Sequence, residues 1–188
     1  MTALPAAPGD VLAVWTSDSF TSTMIRIGYA LRGKISVANH VALITHQDQK
    51  GRWIGVQGQP GGVGLVDVTH WLNDRRTRTN HAQPRPNDKG QLRNFLASCA
   101  HSIGIRYDWM GIAEDGVADL RVHDLSAQMN QLWQQQLADG HLPGEVVCSS
   151  LAAAQYALAG WAHPDLGDER RCQPGDWWAW SDQESWKA

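Results

Sequence analysis

A single helix is strongly indicated between Cys148 and Ala159, and a cysteine begins it. Alanine and leucine dominate this stretch, and Gly160 suits the left-handed position that ends a helix. A cysteine at a helix start feels the positive end of the helix dipole, which favours thiolate over thiol and lowers the pKa below the free value of about 8.5. Cys148 is therefore a candidate nucleophile. The alternative is a buried apolar cysteine with a packing role.

Two neighbouring strands are predicted in the first third of the chain, and each carries a polar side chain of chemical interest. Residues 39–45 have the composition of a strand, and His40 points to a definite side of it because side chains alternate between the two faces. A turn at 47–51 leads to a second strand at 53–57, so the two form a predicted hairpin. His40 and Gln57 therefore lie on adjacent strands.

The rest of the chain alternates further strands, helices and turns. We predict a strand at 11–15, a helix with Phe20, Met24, Ile27 and Leu31 on one face, an extended run at 63–68, a short helical turn at 70–72 and a surface connection at 73–89. These are followed by a helix carrying Leu92, Phe95, Leu96, Cys99 and Ile103, a loop at 113–119, and a helix carrying Leu125, Met129, Leu132, Trp133 and Leu137. Turns are predicted at 7–10 and 173–176. This order predicts one α+β domain over residues 1–188, with an antiparallel sheet packed against helices and a helical insertion near 113–142.

Composition disfavours several classes of function. The 16 basic and 19 acidic residues form no long run of either sign, so we expect no nucleic-acid partner. Residues 1–14 lack a basic region and are broken by Pro5 and Pro8, so they predict neither a secretory signal nor a membrane span. We expect a chain that is cytoplasmic as synthesised, and release by lysis or with a carrier particle is left open.

The cysteine and histidine spacings indicate no metal site. Three cysteines are an odd number and have no C-x-x-C spacing, which argues against a disulfide framework and a zinc site. We therefore expect a reduced chain without metal or other cofactor. We assign Cys99 to packing, place Cys172 in a turn, and expect Cys148 to be the fast-reacting thiol. The remaining histidines are expected at the surface or in caps: His46, His70, His81, His101, His123, His141 and His163.

Five segments of the chain match the motifs of one family. They are Pro8-Gly9-Asp10, residues 39–44, Val56-Gln57-Gly58 followed by Gly62-Val63, Tyr107-Asp108-Trp109-Met110-Gly111, and Val147-Cys148-Ser149-Ser150-Leu151 continuing to Gly160. With these segments the chain resembles a circularly permuted papain-like family, the YiiX-like relatives of the NlpC-type cell-wall peptidases. In that family the histidine strand precedes the cysteine helix, opposite to the order in papain and in NlpC-type enzymes. The permuted order is the order found here.

The resemblance implies a catalytic Cys-His-polar triad made of Cys148, His40 and Gln57. The family often has an acidic residue where this chain has Gln57. A glutamine can accept a hydrogen bond from the imidazole, but it supplies no negative charge to an imidazolium, so Asp67 or a water molecule is kept as an alternative orienting group. Residues 107–111 also resemble the tyrosine segment that NlpC-type enzymes place before their cysteine, and this resemblance implies that Tyr107 lines the substrate pocket near the oxyanion site. Its alternative role is that of a core aromatic residue.

The function implied by the resemblance is that of a thiol peptidase or amidase. Cys148 would attack an amide carbonyl of a peptide or peptidoglycan fragment, and His40 would take and return the proton. A second hypothesis is an acyltransferase or a lipid-amide or ester hydrolase of the lecithin:retinol acyltransferase type, since an acyl-thioenzyme serves both chemistries. A third is a non-catalytic binding module, for which Gln57 in place of an acid is the best support.

Overall fold

The computed structural model describes residues 4–16, 38–79, 89–108, 123–161 and 172–181. The strands in this part of the chain are β1 (Val11–Val14), β2 (His40–Gln47), β3 (Trp53–Gln59), β4 (Gly62–Asp67), β5 (Thr77–Thr79), β6 (Arg106–Tyr107) and β7 (Glu145–Val146). The helices are α1 (Lys89–His101), α2 (His123–Ala138), α3 (Cys148–Ala159) and α4 (Pro174–Trp180), with a 3₁₀ turn at Trp71–Asn73. The fold class is α+β, as predicted.

Five strands form one antiparallel sheet in the order β4-β3-β2-β1-β5. The predicted hairpin is confirmed, because β2 pairs with β3 and Leu43 lies opposite Val56. A short second sheet joins β6 and β7 in parallel, with Tyr107 opposite Val146. This second sheet brings the residues before α3 alongside the tyrosine segment.

The central sheet has apolar side chains on both faces, and each face is covered by different parts of the chain. Alternate residues of β1 and β2 contribute to two separate clusters of buried side chains. One cluster contains Val11, Ala13, Val41 and Leu43 together with residues of the four helices. The other contains Leu12, Val14, Ala42 and Ile44 together with Val68, Leu72 and the partly buried Trp71. Position 40 belongs by alternation to this second face.

Helix α3 lies at the centre of the helical side and is surrounded by protein. Every residue from Cys148 to Tyr156 is buried, as expected of a helix that is apolar all round. Tyr156 contacts the rings of Phe95, Trp161 and Trp177 at centroid distances of 5.8, 5.3 and 5.3 Å. Its hydroxyl donates to the carbonyl of Gly9 at 2.6 Å. The helix ends at Gly160, whose φ of 69° is left-handed, as predicted.

The structure corrects two predictions about local elements. Residues 77–79, assigned to a surface connection, form edge strand β5, which pairs with β1 through Thr79 and Leu12. Pro174-Gly175-Asp176, assigned to a turn, begins helix α4, because proline is favoured in a first turn and Asp176 accepts the N–H of Gln173 at 2.9 Å. Cys172 lies outside the helices and strands, two residues before α4, and is buried.

Some predicted elements lie outside the described residues. They are the helix at 20–31, the loop at 113–119 and the Trp109-Met110-Gly111 part of the tyrosine segment. The described part of the predicted insertion is helical over His123–Ala138. Among the described residues, no helix combines the length and the apolar character needed to cross a membrane.

Candidate active site

The first turn of α3 holds Cys148 against strand β2. Ser150 Oγ accepts a hydrogen bond from the N–H of Val147 at 3.0 Å and donates one to the Val147 carbonyl at 3.2 Å, which fixes the start of the helix. The Cys148 side chain is buried. Its sulfur accepts hydrogen bonds from the main-chain N–H groups of Val41 and Ser149. Two backbone donors therefore converge on the sulfur, and such donors stabilise an anion.

The imidazole of His40 bridges the thiol and an amide. His40 is the first residue of β2 and is half-buried. Its Nε2 lies 2.5 Å from Oε1 of Gln57, and its ring is hydrogen-bonded to the Cys148 thiol. Gln57 in turn donates from Nε2 to Oε1 of Gln59 at 2.9 Å. The chain of contacts is thus thiol, imidazole, amide, amide.

The orientation of the Gln57 amide assigns the proton-bearing nitrogen of the imidazole. Because the Gln57 amide nitrogen donates to Gln59, its oxygen faces His40. An amide oxygen can only accept, so His40 Nε2 carries a proton. Nδ1 is then the nitrogen that hydrogen-bonds the thiol and can take its proton.

The thiol and the imidazole shift each other's pKa in opposite directions. Burial alone raises the pKa of Cys148, but the charge and hydrogen bond of His40, together with the N–H groups of Val41 and Ser149, outweigh burial and lower it. Burial alone lowers the pKa of His40, but the charge and hydrogen bond of Cys148 and the bond to Gln57 raise it. Both shifts favour a thiolate–imidazolium pair over a neutral thiol and imidazole.

An indole covers the imidazole on the face of the sheet that is opposite the helices. Trp71, at the start of the 3₁₀ turn, lies with its ring centroid 5.8 Å from that of His40 at an interplanar angle of 66°. The main-chain N–H of Trp71 donates a hydrogen bond to the Val68 carbonyl at 3.0 Å, which holds the residue in place. An edge-to-face contact of this kind restricts rotation of the imidazole.

Tyr107 lies next to the residues that precede Cys148. It pairs with Val146 across the parallel β6–β7 contact and is buried. Burial raises the pKa of its phenol, and the charges of Cys148 and Asp108 raise it further. The phenol is therefore neutral over the physiological range and keeps its O–H as a donor. The predicted pocket residue is thus near the thiol.

Several other candidates lie away from this cluster. Asp67, the alternative orienting group, faces Arg52 at 3.5 Å and accepts the N–H of Thr69 at 3.0 Å. Cys99 is buried in α1, where burial raises its pKa to about 12, in keeping with its packing assignment. Of the histidines whose side chains the structure describes, His46, His70, His101 and His141 are exposed, whereas the predictions for His81, His123 and His163 lie outside the described side chains. Within the described segments, no group of three His, Cys, Asp or Glu side chains could hold a metal ion.

Three of the groups that surround the thiol and the imidazole are not predicted from the sequence. Gln59 was detectable, because it follows Gln57 by two residues and shares its strand face. The Val41 N–H and the Trp71 ring had no local signal, since both reach the site through tertiary packing.

Comparisons of the chain with protein-family models, curated proteins and solved structures give no match.

Proposed function

We propose that this chain is a cysteine hydrolase with a permuted papain-like arrangement, which cleaves amide bonds through an acyl-thioenzyme. The observation that carries the proposal is the hydrogen-bonded series Cys148, His40 and Gln57, with the pKa of the thiol lowered and that of the imidazole raised. Perturbed titration of a nucleophile and a base in contact is typical of an active site. A cysteine that served packing alone would resemble Cys99, whose pKa is raised.

The arrangement assigns one role to each group. Cys148 attacks the carbonyl carbon of the amide as a thiolate, and a tetrahedral intermediate forms. His40 Nδ1, protonated in the ion pair, gives its proton to the leaving amine and then takes one from the water that hydrolyses the thioester. Gln57 holds the imidazole by accepting from Nε2. The Cys148 N–H and the Tyr107 phenol are the donors we assign to the oxyanion.

The order of these groups along the chain supports the permuted arrangement. His40 and Gln57 lie on antiparallel strands that come early in the chain, and Cys148 begins a later helix packed on those strands. A peptide or a peptidoglycan-type fragment is the substrate class we propose, in line with the resemblance. Transfer of the acyl group to an acceptor other than water is the competing outcome of the same thioester chemistry.

Thiolate formation tests the proposal without a known substrate. Ultraviolet thiolate absorbance is titrated in the wild-type chain and in Cys148→Ala, so that the difference reports Cys148 alone. We expect a Cys148 titration below the free-thiol value of about 8.5. Cys172→Ala is the matched control and should leave the low-pH titration in place. A Cys148 that titrates at or above the free value would remove the basis of the proposal.

Mass spectrometry then identifies the reaction. The protein is incubated with peptide, muropeptide, N-acyl amide and ester libraries, with and without an amine acceptor. We expect an acyl adduct on Cys148 and amide hydrolysis that Cys148→Ala lacks. Product that carries the acceptor in place of water would support an acyltransferase. If Cys148 ionises below the free-thiol pKa but forms no adduct with any library, a binding module would be favoured.

A further inference from the structure

Strand β3 closely approaches the start of α3 at a glycine. A β-carbon added to Gly58 would lie 3.1 Å from the nitrogen of Cys148, 3.2 Å from the carbonyl carbon of Val147 and 3.3 Å from the Cα of Cys148. All three are backbone atoms, which cannot rotate away as a flexible side chain would. Gly58 is buried, and its φ is not in the left-handed region. Space, and not backbone torsion, is therefore what requires a glycine here.

The three distances show which part of the helix start rests on Gly58. An atom placed along the N–H direction of Cys148 would be clearly farther from the two carbons than from the nitrogen. The nearly equal distances instead place the added carbon over the face of the Val147–Cys148 peptide. A side chain at position 58 would thus press on the face of that peptide and would not lie on the line of the Cys148 N–H. This N–H is one of the two donors that we assign to the oxyanion.

Strand β2, which neighbours β3, holds the Cys148 sulfur through the residue opposite Gly58. Continuing the antiparallel register of Leu43 with Val56 by two residues places Val41 opposite Gly58. The N–H of Val41 donates to the Cys148 sulfur. One strand therefore supports the peptide that carries the N–H, and the adjacent strand holds the nucleophile.

From this geometry we infer that Gly58 is a positioning residue. Because it has no side chain, the Val147–Cys148 peptide can lie close to β3, where the Cys148 sulfur reaches His40 and the Cys148 N–H reaches the substrate carbonyl. The inference rests on the proposed function and adds a residue to it. Any side chain at position 58 must displace the Val147–Cys148 peptide by a few tenths of an ångström, because the contacts are tighter than ordinary van der Waals distances. Near-attack geometry is sensitive to such shifts, and about 1 Å of misplacement costs on the order of a hundredfold in rate.

A graded series at position 58 tests the inference. Gly58→Ala should lower kcat on the order of tenfold with KM little changed, and Gly58→Val should lower it further, on the order of a hundredfold. Both should move the Cys148 thiolate titration toward the free-thiol pKa, because the sulfur leaves the Val41 N–H and the imidazole. Thermal unfolding is measured alongside, so that rates refer to folded protein.

Two glycines of the same region provide matched controls. A β-carbon added to Gly61 would have no neighbouring atom within 4 Å, so Gly61→Ala should match the wild type in stability, thiolate titration and turnover. A β-carbon at Gly55 would lie 2.7 Å from the Leu43 carbonyl oxygen, away from Cys148, so Gly55→Ala should reduce stability while the folded fraction keeps the low thiolate pKa. A strand that is merely disrupted would thus be distinguished from a displaced nucleophile.

The outcomes separate this inference from the proposed function. If wild-type Cys148 ionises at low pH but Gly58→Ala and Gly58→Val leave its titration and turnover unchanged, Gly58 has no positioning role and the hydrolase proposal stands. If the two variants lose activity no more than Gly55→Ala does at equal stability, the effect is structural and the inference is overturned. If the wild-type thiol is not activated at all, the proposed function itself fails.

Discussion

Replacing Gln57 by alanine removes the oxygen that accepts a hydrogen bond from the Nε2–H group of His40. That contact measures 2.5 Å and joins a neutral amide to an imidazole that is charged in the ion pair. A hydrogen bond to a charged group contributes about 1.5–3 kcal/mol. Since every 1.4 kcal/mol is a factor of about ten, the equilibrium ratio of the thiolate–imidazolium pair to the neutral pair should fall by about 10- to 150-fold. Turnover should fall by a similar factor, and by less than in His40→Ala.

The assay is the pH dependence of Cys148 thiolate absorbance and of turnover in Gln57→Ala, Gln57→Glu and the wild type. Gln57→Glu should retain or raise activity, because a carboxylate in the same place stabilises the imidazolium. Gln47→Ala is the matched control: Gln47 is an exposed glutamine at the far end of β2 that donates to the Gly51 carbonyl at 2.7 Å. An unchanged pH profile and turnover in Gln57→Ala would exclude Gln57 as the orienting group and favour a water molecule.

Three further outcomes are expected from the same contacts. The rate against pH should be bell-shaped, rising through the lowered pKa of Cys148 and falling through the raised pKa of His40; a profile without the acid limb would contradict the ion pair. Tyr107→Phe should lower kcat by about a hundredfold to a thousandfold with the fold intact, because an oxyanion donor is lost; an unchanged kcat would assign Tyr107 to the core alone. Tyr156→Phe leaves the Gly9 carbonyl without its buried donor and should reduce the free energy of unfolding by about 1–3 kcal/mol in urea titrations, with the thiolate pKa unchanged; a shifted thiolate pKa would show that this contact also reaches the site.

Much of the fold could be predicted because local patterns repeat what the tertiary structure needs. Strands β1 to β3 have strand composition and alternate their side chains between two faces, and α3 has alanine-rich composition with a glycine at its end. Edge strand β5 was missed because Thr77–Thr79 is short and polar, and its strand structure comes from backbone pairing with β1. Such pairing leaves no mark in the local sequence.

The tripeptide Pro-Gly-Asp shows how the same residues acquire different structures. At residues 8–10 it forms a turn before β1, where the N–H of Ala7 and Asp10 Oδ2 are 2.5 Å apart. At residues 174–176 it begins α4, and Asp176 accepts the N–H of Gln173. The turn-forming chemistry is common to both copies. The second copy continues as a helix because Trp177 and Trp180 are packed into the helical core.

By itself, the sequence determined which side chains were available for chemistry and on which elements they lie. It placed Cys148 at a helix start, and His40 and Gln57 on neighbouring strands, because helix ends and strand alternation are local properties. It left open whether Cys148 is a nucleophile or a packing residue. The tertiary structure brought the thiol, the imidazole and the Val41 N–H into contact, and it is their charges and hydrogen bonds that outweigh burial and lower the thiol pKa. Long-range electrostatics of this kind depend on distances that only the packed chain defines.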